Sequence, residues 1–319
     1  MKWLAAALLS VLTVAGCGST EAQWRDTEVS FDANELTVHG SYRTNGKSGP
    51  AALLLAESGP NDRNGDNQVV GPVGTMRLIS ERLSDRGVAS LRYDKVGTGK
   101  TGLGHFDQRP ADVTGTVYTT EATAALEFLE HQPKTDAVSI YAIGEGAVRA
   151  LSLAGDRQVH ALALLQPLPG RYLDLVTARV RADGAPQVLA TWLAAVEQVR
   201  TTGTLPANLP QGLSAIINSA NLKAVMEADA IDPVQLAAAL PDGMPVLLTC
   251  SESDKQARCS DEKPLIDALR HTRLTVVELK GVNHVLRDDP TDNIANYRKG
   301  GPLSQQVLDA LDGFVGGGA

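Results

Sequence analysis

Residues 138–151 read VSIYAIGEGAVRAL. Val138, Ile140 and Ala142 alternate with Ser139 and Tyr141, which is the period-two signature of a strand. The run breaks at Gly144 and Gly146 and passes into an Ala/Val/Leu pattern of helical spacing. A strand, a sharp turn and a helix make a nucleophile elbow, which presents one side chain at the end of the strand. The turn needs small residues two before and two after that side chain. Ala142 and Gly146 meet this need, so the nucleophile position falls on Gly144. Glycine has no side chain with which to attack.

Outward from this stretch, strands and helices alternate. Residues 28–31 and 36–43 flank Asp32-Ala33-Asn34 as a hairpin does. Residues 51–56 form an unbroken apolar run, as in a strand covered on both faces. Residues 76–83 and 119–131 have helical spacing, and 88–93 and 161–166 read as strands. From 172 to 240 the chain is helical in pattern, broken at Gly184, Pro186, Gly203, Pro206, Pro210 and Gly212. Strand 246–249, helix 263–270, strand 274–278 and helix 305–314 complete the series. Such alternation predicts an α/β fold built on a mostly parallel, doubly wound sheet. The entering β-hairpin and the helical cap insertion narrow it to the α/β-hydrolase fold, with the core at 27–167 and 244–315 and the cap at 168–243.

In that plan the catalytic triad runs in chain order nucleophile, acid, histidine. The strand at 246–249 opens into Cys250-Ser251-Glu252-Ser253-Asp254, and the next strand opens into Gly281-Val282-Asn283-His284. Asp254 is placed to orient the imidazole of His284. Glu252 is the rival acid, closer to the strand end.

Four loops carry a family resemblance: LLLAESGPNDRNGDN at 53–67, LRYDKVGTGKT at 91–101, PVLLTCSESDKQ at 245–256 and LKGVNHVL at 279–286. Together they resemble a branch of the α/β-hydrolase superfamily made of serine ester and thioester hydrolases, with loops of the form GSGPTDRDGN, RYDKRGxGxS, GHSEGA and GxNH. The resemblance implies Asp254 as triad acid, His284 as base and residues 172–240 as cap. GHSEGA falls on residues 142–147, so Gly144 stands for the serine and Ile143 for the preceding histidine. GSG falls on Glu57-Ser58-Gly59, so a carboxylate replaces the first glycine; Val96 replaces the second arginine of RYDKRG.

These departures gather on one pocket. The first loop and the residue after the nucleophile, here Glu145, supply the oxyanion-hole N–H groups. A negative charge on Glu57 opposes a developing oxyanion. The expected function is therefore a non-catalytic, hydrolase-like protein that binds an apolar ligand under the cap or presents a surface to a protein partner. The alternative is an active ester or thioester hydrolase using a displaced nucleophile: Ser58, Glu145, or a water activated by His284 and Asp254. The Glu145 register would put Ile143 where bulk clashes with the turn. Ser139 is expected in the strand interior. Recovery of ester hydrolysis in a Gly144→Ser variant would support the triad register and an intact Asp254–His284 geometry.

The ends and the composition bound the setting. Lys2 followed by an apolar run to Ala15 reads as a signal peptide over 1–16, too short for a permanent span. Val14-Ala15-Gly16-Cys17 has the form of a lipobox, so Cys17 is expected to carry lipid such as palmitate. It would anchor the protein on the outer face of the cell membrane through a tether at 17–26. A net charge of −8 with scattered Lys and Arg gives no footprint for nucleic acid. Cys250 and Cys259, nine positions apart, are expected to be bonded outside the cytoplasm. No ligand set for a metal and no cofactor motif is present: VGTGKT at 96–101 lacks the first P-loop glycine. Asn61-Asp62-Arg63-Asn64-Gly65-Asp66 lacks the closing glutamate of a calcium loop. Asp62, Arg63 and Asn64 are expected to fix their own loop.

Overall fold

The computed structural model describes residues 23–317. The signal peptide at 1–16 and Cys17 lie outside the described residues. Among the described residues no helix is long and apolar enough to cross a membrane.

Eight strands form one sheet in the order β1-β2-β4-β3-β5-β6-β7-β8. They are β1 (Arg25–Ala33), β2 (Leu36–Thr44), β3 (Gly49–Leu55), β4 (Ala89–Tyr93), β5 (Thr135–Gly144), β6 (Leu162–Pro167), β7 (Pro245–Cys250) and β8 (Arg273–Glu278). β1, β2 and β4 pair antiparallel, and the rest of the sheet is parallel. The hairpin turns one residue later than its polar triplet suggests. Asn34 and Glu35 both take positive φ, at 49° and 69°, and this two-residue turn matches the twist of the strands.

Residues 51–55 of β3 are apolar at every position because both faces of the sheet are covered there. Ala51, Leu53 and Leu55 of β3 point to one face and Ala52 and Leu54 to the other. Helices α2 (Gly115–Glu130), α3 (Gly146–Asp156) and α9 (Lys263–Ala268) cover the first face with Leu126, Leu129, Leu151 and Leu265. Helices α1 (Thr75–Asp85) and α11 (Gln305–Gly317) cover the second with Ile79, Leu83, Val307 and Leu311. Each such leucine taken out of water contributes about 1.5–3 kcal/mol.

Between β6 and β7 lie α4 (Tyr172–Asp183), α5 (Pro186–Thr202), α6 (Gln211–Ser214), α7 (Leu222–Ala230) and α8 (Pro233–Ala238). The insert has its own core of Leu173, Trp192, Val196, Val199 and Ile217. Asp229 of α7 ties it together, accepting from Arg171, Arg200 and the Leu173 N–H. A short α10 (Ile294–Tyr297) follows the loop that holds His284.

Candidate functional site

The elbow is built as the sequence requires. β5 ends at Gly144 with φ at 52°, and α3 begins two residues later. A β-carbon on Gly146 would lie 2.5 Å from the Leu55 carbonyl and 2.8 Å from that of Ala56. The helix thus packs directly on the β3 backbone, which is why only glycine fits there. Gly144 has a different constraint. A β-carbon there would stand 1.4 Å from Oε2 of Glu57 and 2.4 Å from its Cδ. The Glu57 carboxylate fills the space that a nucleophile side chain would occupy.

Asp254 and His284 meet as expected, with Nδ1 2.7 Å from Asp254 Oδ2. The other ring nitrogen, Nε2, is 2.8 Å from Glu57 Oε2. The imidazole is 2% exposed and has a carboxylate on each side. Carboxylates only accept, so both contacts are hydrogen bonds when both ring nitrogens donate, as in the imidazolium. Burial alone would push this imidazole down. The charges and hydrogen bonds of Asp254 and Glu57 outweigh it and hold His284 well above its ordinary range. For Glu57 too, burial would raise the carboxyl, but the His284 charge and the Ser58 hydrogen bond hold it below its ordinary value.

The surroundings fix this line of charges. Asp254 Oδ1 accepts from the N–H groups of Gln256 and Ala257, at 2.7 and 3.2 Å. The Cys250–Cys259 disulfide, with its Cα atoms 4.9 Å apart, closes the loop that carries them. The His284 N–H donates to Asp292 Oδ1 at 3.1 Å, and Tyr297 donates its hydroxyl to the same oxygen. Glu57 Oε1 accepts from the Ser58 N–H at 2.6 Å. Lys95 donates to the Glu57 and Gly59 carbonyls and so pins the first loop.

The rival residues sit elsewhere. Glu252 accepts from Ser260 on the surface side of its loop and does not reach His284. Glu145 pairs with Arg149 at 2.7 Å, one turn along α3. Ser58 is exposed, and its place beside the imidazole is taken by Glu57. Ser139 lies in the middle of β5, as expected, but is half-buried rather than enclosed. Val96 is buried and gives its N–H to Glu121, whose carboxyl is pushed up to about 8 by burial. Asp62 spends its Oδ1 on the N–H groups of Asn64 and Asp66, as an Asx turn does. Arg63 bridges to Asp94 at 2.7 Å and locks the first loop to the one after β4.

Two expectations change. Glu57 does more than set a charge near an oxyanion hole, because its side chain reaches the base itself. A serine placed at 144 alone would collide with that side chain, so single restoration of the nucleophile does not follow. Asp292 and Tyr297, which hold the His284 backbone, carry no motif that would have marked them.

Two cavities meet Glu57, which retains 21% of its side-chain exposure. One, of about 170 Å³, is largely apolar and lined by Val70, Val73, Met76, Ile143, Val285 and Ile294, with His284 and Tyr297. The other, of about 90 Å³, has Lys95, Tyr118, Glu145 and Arg149 in its walls. Both are lined by loops and helices of the core, and no described residue of the insert lines either.

No protein-family profile and no curated protein matches this sequence. Solved structures do match in fold. An esterase of Pyrococcus furiosus, Pf2001, is 13% identical at a TM-score of 0.57, over 96% of this chain and 94% of its own. Est1E of Butyrivibrio proteoclasticus is 14% identical at 0.56, over 91% and 98%. DcsB, solved with a substrate analogue, is 16% identical at 0.60, over 92% and 99%. The chain has the α/β-hydrolase fold, and its structural neighbours include esterases.

Proposed function

We propose that this chain is a lipid-anchored, extracytoplasmic protein of hydrolase fold that has given up acyl transfer from a serine and holds a small apolar molecule beside Glu57. One observation carries the reading. The Glu57 carboxylate lies over Gly144 and pairs with Nε2 of His284, so the base has no hydroxyl to activate and is already protonated. A general base must reach the proton that it takes, and its pKa must suit the operating pH. Neither condition is met for a serine here. The cavity is of suitable size: a dry cavity of about 150 Å³ takes one benzene.

The experiment has three parts. A fluorophosphonate probe and a short-chain p-nitrophenyl ester should leave the purified protein unlabelled and inactive. 1-Hexanol should raise its melting temperature and shift the methyl resonances of Val285 and Ile294. Cys17→Ala should move the protein from the membrane fraction to the soluble one. The competing reading, an ester hydrolase with a displaced nucleophile, draws on the esterases among the structural neighbours and on the accessible Ser58 hydroxyl. Probe labelling that is lost on Ser58→Ala would establish it and end the first reading.

A further inference from the structure

We infer that the molecule held in the apolar cavity is an alkylamine, its ammonium seated on the free side of the Glu57 carboxylate and its chain among the apolar walls. This rests on the reading that the cavity takes a small, largely apolar molecule, and it names the polar end of that molecule.

Glu57 has bonding capacity left over. A carboxylate offers about four lone-pair positions, two on each oxygen. Oε1 spends one on the Ser58 N–H at 2.6 Å, and Oε2 spends one on Nε2 of His284 at 2.8 Å. The Ser58 side chain bonds the carboxylate as well, and one position still remains. The Glu57 side chain keeps 21% of its exposure and stands in the wall of the apolar cavity. Only a donor can use what remains, because an ionised carboxylate accepts and does not give.

The charges decide which donor. Asp254, His284 and Glu57 alternate in sign along one line, with contacts of 2.7 and 2.8 Å, and the line ends at the cavity on a negative charge. Two carboxylates thus share one imidazolium. A third, Asp292, accepts the His284 N–H from behind and is matched by Lys255, which reaches its Oδ2 and its carbonyl at 3.0 and 3.3 Å. Neither lysine nor arginine is among the described residues that line the apolar cavity. An ammonium continues the alternation, whereas a carboxylate ligand would meet Glu57 head on. A hydroxyl could donate one bond but would leave the terminal charge unmatched. Burying an ammonium is costly unless a charged partner is in contact, and Glu57 is that partner.

The two sides of Glu57 are not equivalent. The cavity of about 90 Å³ on its other side holds Lys95 and Arg149, 5.9 and 5.4 Å from the centre of the Tyr118 ring. Lys95 donates to the Glu57 and Gly59 carbonyls and leaves the Glu57 carboxylate free, and Arg149 pairs with Glu145 at 2.7 Å. An ammonium on that side would meet two cations. On the apolar side it meets none but the imidazolium, which Glu57 screens. The chain then lies against Val70, Val73, Met76, Ile143 and Val285. A volume of about 170 Å³ suits about six carbons, since a dry cavity of about 150 Å³ holds a benzene.

The test titrates the full-length protein with n-hexylamine, 1-hexanol and hexanoate at about pH 7, where an alkylamine is protonated as a lysine side chain is. The amine should bind at least ~10-fold more tightly than the alcohol, the lower end of what a hydrogen bond to a charged group supplies. Hexanoate should bind most weakly. The amine should shift the methyl resonances of Val285 and Ile294 and leave the Tyr118 ring protons in place. In Glu57→Gln the ratio of amine to alcohol affinity should fall to about one. If 1-hexanol binds and the amine binds no tighter, the inference falls and the apolar-molecule reading stands. If none of the three binds, both fall. An advantage that survives Glu57→Gln, or a shift at Tyr118 with none at Val285, puts the amine elsewhere and overturns the inference. Should Glu57→Gln fail to fold, the order of the three ligands on the wild type decides.

Discussion

Two buried clusters in this molecule are mirror images in charge. In the helical insert between β6 and β7 one carboxylate, Asp229, lies between two guanidiniums, Arg171 and Arg200, at 3.0 and 2.8 Å. In the site one imidazole, His284, lies between two carboxylates, Asp254 and Glu57, at 2.7 and 2.8 Å. The guanidiniums are charged at any working pH, so the cap cluster has nothing to switch. Hydrogen bonding to Asp229 holds Arg200 above even its ordinary range. The imidazolium owes its raised affinity for the proton to its two charged neighbours, so neutralising either weakens its hold on that proton. One cluster is a fastening. The other is a charge that can be turned off.

Four experiments separate these roles, from the largest expected effect to the smallest. Glu57→Gly combined with Gly144→Ser removes the obstructing carboxylate and supplies a hydroxyl beside His284. Fluorophosphonate labelling should go from background to near completion. Gly144→Ser alone should stay unlabelled and lose about 1–3 kcal/mol through overpacking against Glu57, read by denaturant unfolding. Labelling of that single variant would mean that Glu57 moves aside readily, and the line of charges would be weaker than its geometry suggests.

Asp229→Ala leaves two partly buried guanidiniums and the Leu173 N–H without their acceptor. Its cost should be about 3 kcal/mol, at the low end for a broken buried pair because both arginines keep some contact with water. Loss of the cap's protection against proteolysis at unchanged core stability is the accompanying sign.

The third is a pH profile. His284 has a folded pKa above its unfolded value of about 6.5, so its contribution is complete below that pH and is lost as pH rises through the folded value. Glu57 has a folded pKa below its unfolded value of about 4.3, so its contribution is complete above that pH and is lost on acidification. Stability should therefore peak between about pH 4.3 and 6.5 and decline on the alkaline side, by up to about 1.4 kcal/mol per pH unit. Glu57→Gln should flatten the alkaline decline. Asp229→Asn should leave it unchanged, since no cation in that cluster titrates there. A decline that persists in Glu57→Gln would assign it to another group.

The smallest effect belongs to Tyr297→Phe. It removes one hydrogen bond to Asp292, which also accepts the His284 N–H, and should cost about 1 kcal/mol in unfolding. In NMR the His284 ring protons should shift while Asp229 and its partners do not.

Much of the fold was legible because it rests on local patterns. The alternation in 138–142, the unbroken run at 51–56 and the breaks at Gly144 and Gly146 each state a strand, a buried strand and a turn on their own. Asp254 and His284 were legible because loop position after a strand is a property of chain order. The role of Glu57 was only half legible. Its charge stood out against the family pattern, but it meets His284 across 227 positions of sequence. No spacing rule states that a glutamate side chain from the loop after β3 is long enough to end above the Cα of residue 144. The hairpin turn was missed by a residue because Glu35, at positive φ, is an unusual choice for its position. Asp292 and Tyr297 were invisible because they act through backbone and hydroxyl contacts that leave no motif.

The 1.4 Å between Oε2 of Glu57 and a β-carbon at 144 also couples the two positions. A serine at 144 and this placement of Glu57 exclude each other, so neither residue can be exchanged independently of the other. Going from one arrangement to the other without a clash takes two substitutions, and the intermediate has a small residue at both positions.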